Sequence, residues 1–223
     1  MPNKIIAIDR RFHGYDVAPD DTAVIHVDGD TSLDHFVSEV RRICYAAGPA
    51  NVAPLHVSQP VPILSIIAHG IHQMIGGSCD AGGNNGGTPV LHHIQFCRET
   101  IHPGNALALA RRIQGCVSDR IRLVVCNAAL GATGRQLCTH FAVGAGVRVM
   151  AAAATQVAET PFVHSAARGS RPHSVQAGPW EGPVYEFRPN RTVEHLFTGP
   201  TCEEGRQRLI DAGYPAQNID CSY

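Results

Sequence analysis

Short apolar segments bounded by Asp, Gly and Pro alternate along this chain with longer segments in which apolar residues recur every three or four positions. The short segments are typical of buried strands, and the longer ones of helices with one apolar face. The pattern predicts seven strands, in chain order Lys4–Ile8, Ala23–Val27, Ile63–Ala68, Ile121–Val125, Val147–Ala153, Val184–Arg188 and Val193–Phe197.

Four helices are predicted among these strands. Polar residues suited to capping a helix N-terminus precede three of them: Ser32 or Thr31 for the first, Thr133 with Gln136 for the third, and Thr201 with Glu204 for the last. The helices span residues 32–44, 105–116, a segment that opens at 133, and 201–212. The Gly-rich stretch from Gly76 to Gly87 is expected to be a mobile loop that borders the end of the third strand.

Strands joined by crossover helices are typical of an α/β fold with a mostly parallel central sheet. We therefore expect a three-layer sandwich with helices on both faces of the sheet. A chain of 223 residues fits one domain, residues 1–223. Its core is expected to span about residues 4–188, followed by a C-terminal strand and helix in residues 189–223.

Composition narrows the classes of function. Hydrophobic residues make up 44% and charged residues 17%, as in globular proteins. The net charge of -1 gives no basic surplus for nucleic acid, and no apolar stretch is long enough to predict a membrane span. The N-terminus lacks the features of a cleaved secretory signal, and the eight cysteines are scattered. We expect reduced cysteines and a cytoplasmic protein, with export by a route without a cleaved signal left open.

Two predicted strands end in residues suited to thiol chemistry. The segment SIIAHG ends in His69 and Gly70, and the segment RLVVC ends in Cys126. Functional groups of parallel sheets gather at the carboxyl ends of the strands. A thiol of pKa ~8.5 is little ionised at neutral pH, so a neighbouring imidazole is needed to favour the thiolate. A cysteine that ends a strand is commonly just a small buried hydrophobe, and His-Gly is commonly a turn; the two together favour catalysis.

A cluster of His92, His93, Cys97 and His102 invites a comparison with zinc sites. Structural zinc sites usually have close Cys or His pairs at both ends, and the sequence lacks them here. We therefore predict no metal site and no cofactor.

The order of elements around His69 and Cys126 resembles the caspase–hemoglobinase fold, shared by caspases, gingipains, clostripain and separase. More closely, the chain is similar to an uncharacterised family of caspase-like domains found in large bacterial surface proteins. The similarity covers roughly residues 4–188, although Ala68 replaces a common Ser and the caspase Gln-Ala-Cys-x-Gly string is absent. The matching segments are 68–70 (AHG), 125–129 (VCNAA), Gly131 with Gly134, 151–153 (AAA) and 178–180 (GPW).

This resemblance implies a cysteine endopeptidase that acts on a protein or peptide substrate. Cys126 would attack the scissile carbonyl, His69 would protonate the leaving amine, and the backbone N–H groups of Gly70 and Cys126 would hold the oxyanion. Related peptidases line the pocket for the residue before the cut with the region that corresponds to Asp9, Arg10 and Arg11. The alternative is that these three side chains are simply exposed to solvent and have no role in binding.

The sequence leaves two other classes of function open. One is a catalytically inactive caspase-like binding module. The other is a non-peptidase thiol hydrolase or acyltransferase that uses the same dyad.

Overall fold

The structure, a computed structural model, describes residues 2–9, 21–45, 60–75, 88–154, 180, 182–201, 204, 207 and 211. The strands are β1 (Lys4–Asp9), β2 (Thr22–Val27), β3 (Val61–Ile75), β4 (Thr88–Gln95), β5 (Val117–Val125), β6 (Arg148–Ala152), β7 (Pro183–Phe187) and β8 (Val193–Thr198). The helices are α1 (Leu33–Cys44), α2 (Pro103–Arg112) and α3 (Gly131–Ala145).

The strands form one mixed sheet in the order β2-β1-β3-β5-β6-β7-β8, and β4 pairs with β3 outside this path. The pairings from β2 to β6 are parallel, whereas β7 and β8 are added antiparallel. The predicted α/β class with a mostly parallel sheet is therefore confirmed. All seven predicted strands are present, six of them to within four residues at their ends.

Strand β3 is much longer than the sequence predicts. Its first half pairs in parallel with β1 and β5, and residues 69–75 continue beyond them as one arm of an antiparallel hairpin with β4. The prediction that this strand ends at His69 is wrong, and β4 was missed. The hairpin residues show no clean alternation of apolar and polar positions. Backbone hydrogen bonds between the two strands do not require such a pattern, so the sequence did not reveal the hairpin. The segment 76–87 lies outside the described residues.

The three helices pack on the same face of the sheet. Phe36 of α1, Leu109 of α2 and Phe141 of α3 belong to one buried cluster, together with inward residues such as Leu64 of β3 and Leu123 of β5. The alternate residues of the strands form smaller clusters on the opposite face. Helices α1, α2 and α3 thus form one layer against the sheet, and a helix layer on its other face stays a prediction.

Helix starts were predicted with mixed success. Ser32 is the N-cap of α1 and accepts a hydrogen bond from the N–H of His35. Helix α3 begins at Gly131 behind Leu130, which makes no side-chain cap bond, so the Thr133 capping box is wrong. Thr133 lies inside the first turn because the tight chain reversal after β5 already sets the helix start.

The other two helix starts involve reciprocal capping boxes. Helix α2 starts earlier than predicted because His102 accepts a hydrogen bond from the N–H of Gly104 while the Asn105 side chain accepts one from the backbone of His102. At the C-terminal helix, Thr201 and Glu204 exchange the two predicted capping hydrogen bonds. The residues described beyond them, through position 211, are helical.

Candidate active site

The parallel register brings His69 and Cys126 to the same edge of the sheet. Ala68 of β3 and Val125 of β5 are the last Cα partners of the two strands, and each is followed directly by one of the two residues. His69 is half-buried, and Cys126 is 6% exposed. Because strand residues alternate between faces, both positions continue the row of Ile67 and Val124 on the face away from the three helices.

A tight turn follows Cys126 and connects it to α3. Asn127 adopts a left-handed conformation with φ of 54°, which Asn tolerates better than most residues. The N–H groups of Asn127 and Ala129 donate to the carbonyls of Ala154 and Ala152, and that of Ala128 donates to Val125. These three N–H groups are therefore engaged in holding the turn against β6.

Helix α3 packs closely on this turn. A Cβ added at Gly134 would lie 2.6 Å from the carbonyl oxygen of Ala128, so only glycine lets the helix approach this closely. The thiol of Cys138 donates to the same carbonyl oxygen at a sulfur–oxygen distance of 3.4 Å. The backbone after Cys126 is thus supported from the sheet on one side and from α3 on the other.

The backbone at Gly70 has a defined direction. Gly70 is the register partner of Ile94 in β4, and Ile94 exchanges both of its backbone hydrogen bonds with Ile101 on its other side. In an antiparallel ladder a residue directs its N–H and C=O to one side only. Gly70 and Ile94 therefore form a non-hydrogen-bonded pair, and the N–H of Gly70 points away from β4.

Asp9 is not exposed to solvent, which was the alternative to a role in the substrate pocket. It ends β1 opposite Val27 and is completely buried. By strand alternation it follows Ile5 and Ala7 on the helix-covered face, opposite to the face of His69. The structure thus does not bring Asp9 together with the dyad on one face. Arg10 and Arg11 lie outside the described residues.

Two members of the His/Cys cluster, His102 and Cys97, have structural explanations. His102 caps α2, and Cys97 is 1% exposed. No group of three or more His, Cys, Asp or Glu side chains in the described ranges is arranged to hold a metal ion. Five cysteines are described, and none of them is in a disulfide bond: Cys44, Cys97, Cys116, Cys126 and Cys138. None of the helices in the described part is long and apolar enough to cross a membrane.

Two polar residues in the centre of the sheet were missed in the sequence. Ser65 and Arg122 interrupt the apolar segments ILSIIA and IRLVV, and that interruption was the available signal. They are register partners on β3 and β5, four residues before His69 and Cys126. Both therefore lie on the same face of the sheet as the dyad positions.

Comparisons of the chain with protein-family models, with curated proteins and with solved structures found no match. A functional assignment consequently depends on the residues and geometry of this site.

Proposed function

We propose that this chain is a caspase-like cysteine endopeptidase in which Cys126 is the nucleophile and His69 the general acid and base. One observation carries the proposal: the register of Ala68 with Val125 brings a histidine and a cysteine together at the carboxyl edge of two neighbouring parallel strands. Such edges are the usual location of functional groups in α/β sheets.

The mechanism assigned to the pair is nucleophilic catalysis. The Cys126 sulfur, as thiolate, adds to the scissile carbonyl carbon, and the imidazolium of His69 gives its proton to the leaving amine as the C–N bond breaks. Water then attacks the resulting thioester, with His69 accepting its proton. The carboxylic acid leaves, and the thiol is regenerated.

The backbone near the dyad limits where an oxyanion could be held. The three N–H groups that follow Cys126 donate to carbonyls within the fold. The N–H of Gly70 is directed away from β4, which supports it as an oxyanion donor together with the N–H of Cys126. The side chain of Asp9, on the other face, is left without a role in substrate binding in this proposal.

The proposal is tested with a peptide library and a set of peptidyl chloromethyl ketones. The wild-type chain is expected to cleave at least one library peptide and to be alkylated at Cys126 by a matching ketone. Cys126→Ala and His69→Ala should each abolish cleavage. Cys97→Ala serves as the matched control because Cys97 is a buried thiol outside the dyad, and it should leave cleavage unchanged.

The same experiment separates the other classes of function. Ordinary thiol reactivity at Cys126 and no cleavage of any peptide would favour an inactive binding module and contradict the proposal. Rapid alkylation of Cys126, with turnover of thioesters or esters but of no peptide, would assign a thiol hydrolase or acyltransferase instead.

A further inference from the structure

Two buried polar atoms on the face of the sheet opposite to α1, α2 and α3 have no hydrogen-bond partner: the hydroxyl of Ser65 and Nε of Arg122. Ser65 is 1% exposed and Arg122 is half-buried, and the two are direct register partners on β3 and β5. Buried polar groups nearly always have a partner, since leaving one unpaired costs about 1–3 kcal/mol. Two such atoms on directly paired residues therefore indicate a missing acceptor.

The surroundings of these atoms are cationic and aromatic. The Arg122 guanidinium lies over the Trp180 ring, 5.3 Å from its centroid. Burial is the main cause of the lowered pKa of Lys4; the positive charge of Arg122 lowers it further, and the carboxylate of Asp21 raises it. Burial is likewise the main cause of the lowered pKa of Arg122, and the charge of Arg120 adds to it.

No carboxylate among the described residues forms an ion pair with Arg122, whereas neighbouring arginines have such partners. Arg120 and Arg148 both pair with Asp119, and Arg188 pairs with Glu186 and Glu194. Taking a guanidinium out of water without an anion costs several kcal/mol. The charge at Arg122 thus calls for an anion from outside the described fold.

We propose that Ser65, Arg122 and Trp180 form a binding site for a carboxylate group. The guanidinium would donate two parallel hydrogen bonds to the carboxylate oxygens, one of them from Nε, and the Ser65 hydroxyl would donate a third. A carboxylate fits better than a phosphate, because Ile6 and Met150 flank the row of Ser65 and Arg122. A dianion would lose far more hydration in such apolar surroundings.

The site lies on the same two strands as the dyad. Ser65 lies four positions before His69 on β3, and Arg122 lies four positions before Cys126 on β5, which is ~13 Å along extended strands. The carboxylate can therefore come from a free small molecule or from an acidic side chain of a bound peptide. The proposal goes beyond the proposed function and does not depend on the reactivity of Cys126.

Thermal unfolding at constant pH and ionic strength tests the site, with chloride replaced stepwise by acetate. The Tm of the wild-type chain is expected to rise with acetate and to saturate. In Arg122→Met the half-saturating acetate concentration should increase about tenfold or more, as expected for the loss of charge-assisted hydrogen bonds. Ser65→Ala should weaken the response less, and Arg122→Lys should restore part of it.

Arg112→Met is the matched control, because Arg112 is an exposed arginine already paired with Asp34. It should respond to acetate as the wild type does. In chloride alone, Ser65→Ala and Arg122→Met should unfold at the wild-type temperature or above it, since each removes an unpaired buried polar atom. If Ser65→Ala fails to fold, Arg122→Met and Arg122→Lys still carry the test; an Arg122→Met chain that fails to fold counts against the proposal.

A second arm distinguishes the source of the carboxylate. Cys126→Ala protein, which cannot cleave, is titrated with an end-blocked peptide containing Glu and with the same peptide containing Gln. The source is a peptide side chain if the Glu peptide binds, Arg122→Met abolishes this binding, and acetate has no effect. The source is a free carboxylate if acetate raises the Tm and both peptides bind equally. If neither probe distinguishes Arg122→Met from Arg112→Met, or if Arg122→Met lowers the Tm in chloride, the proposal is overturned.

Discussion

Ala68 and Val125 are register partners at the end of the parallel pairing between β3 and β5, and the next residue on each strand is a member of the candidate dyad. The two members are far apart in the chain, and this pairing alone makes them neighbours. A slip of one residue would move one of the two side chains to the opposite face of the sheet. The chemistry of the site therefore depends on strand register.

The first prediction concerns the order in which the thiols react. Iodoacetamide at limiting concentration and neutral pH should alkylate Cys126 before the other described cysteines. A hydrogen bond with the Cys116 thiol, together with burial, raises the pKa of Cys44, and burial raises that of Cys138. Both should react at least about tenfold more slowly, since the thiolate is the reactive form. Peptide mapping by mass spectrometry gives the order.

His69→Ala should slow the labelling of Cys126 and leave the rates of Cys44 and Cys138 unchanged. Labelling in denaturant provides the control, because the thiols should then react at similar rates. A native Cys126 that reacts no faster than Cys44 would argue against an activated thiol.

The second prediction separates support of the site from general stability. Gly134→Ala would place its Cβ 2.6 Å from the Ala128 carbonyl oxygen, and Gly144→Ala would place one 2.6 Å from the Leu107 carbonyl oxygen. Both substitutions should destabilise the fold by about 1–3 kcal/mol, as overpacking does. Only Gly134→Ala displaces the turn after Cys126, so it alone should change the alkylation rate of Cys126. Urea unfolding and timed alkylation measure the two effects, and equal effects of both variants on that rate would contradict the prediction.

The third prediction concerns pH. Hydrogen bonds and charges from Arg120, with a further contribution from Arg148, lower the pKa of Asp119 below its ordinary value. A lowered folded-state pKa stabilises the fold above the unfolded value of ~3.9, and this contribution is lost as pH falls through the folded-state pKa. Because the Asp119 side chain is 34% exposed, Asp119→Asn should cost less than ~1 kcal/mol at pH 7.

At a pH below both pKa values, the free energies of unfolding of Asp119→Asn and of the wild type should converge. Urea unfolding at neutral and at acidic pH checks this. A difference that persists unchanged at acidic pH would show that the aspartate acts through packing instead of charge.

The fourth prediction compares two glutamates that hold the same arginine. Arg188 pairs with Glu186, whose side chain is 7% exposed, and with Glu194, which is 53% exposed. Glu186 also pairs with Arg148. Glu186→Gln should cost roughly 2 kcal/mol because buried charge-assisted hydrogen bonds are lost, and Glu194→Gln less than ~1 kcal/mol. Urea unfolding of the two variants gives the comparison, and an equal cost would mean that burial does not strengthen the inner pair.

Much of the local structure followed from the amino-acid sequence. The apolar segments Lys4–Ile8 and Ile121–Val125 predicted strands that the structure extends to Lys4–Asp9 and Val117–Val125. The polar residues Ser32 and Thr201 predicted two helix starts. These features depend on side chains within a few residues of each other, so they can be predicted without knowledge of the rest of the fold. The same reasoning brought His69 and Cys126 forward as residues at strand ends.

The tertiary structure decided what depends on partners distant in the chain. The hairpin of β3 with β4 carries His69 past the end of the parallel sheet. Neither residues 69–75 nor β4 show a distinctive apolar pattern. The burial of Asp9 follows from the layer that the helices form over one face, and Ser65 meets Arg122 only through strand pairing. Hydrophobic periodicity specifies which residues turn inward, but strand order, register and the faces that helices cover arise from the packing of all the elements together.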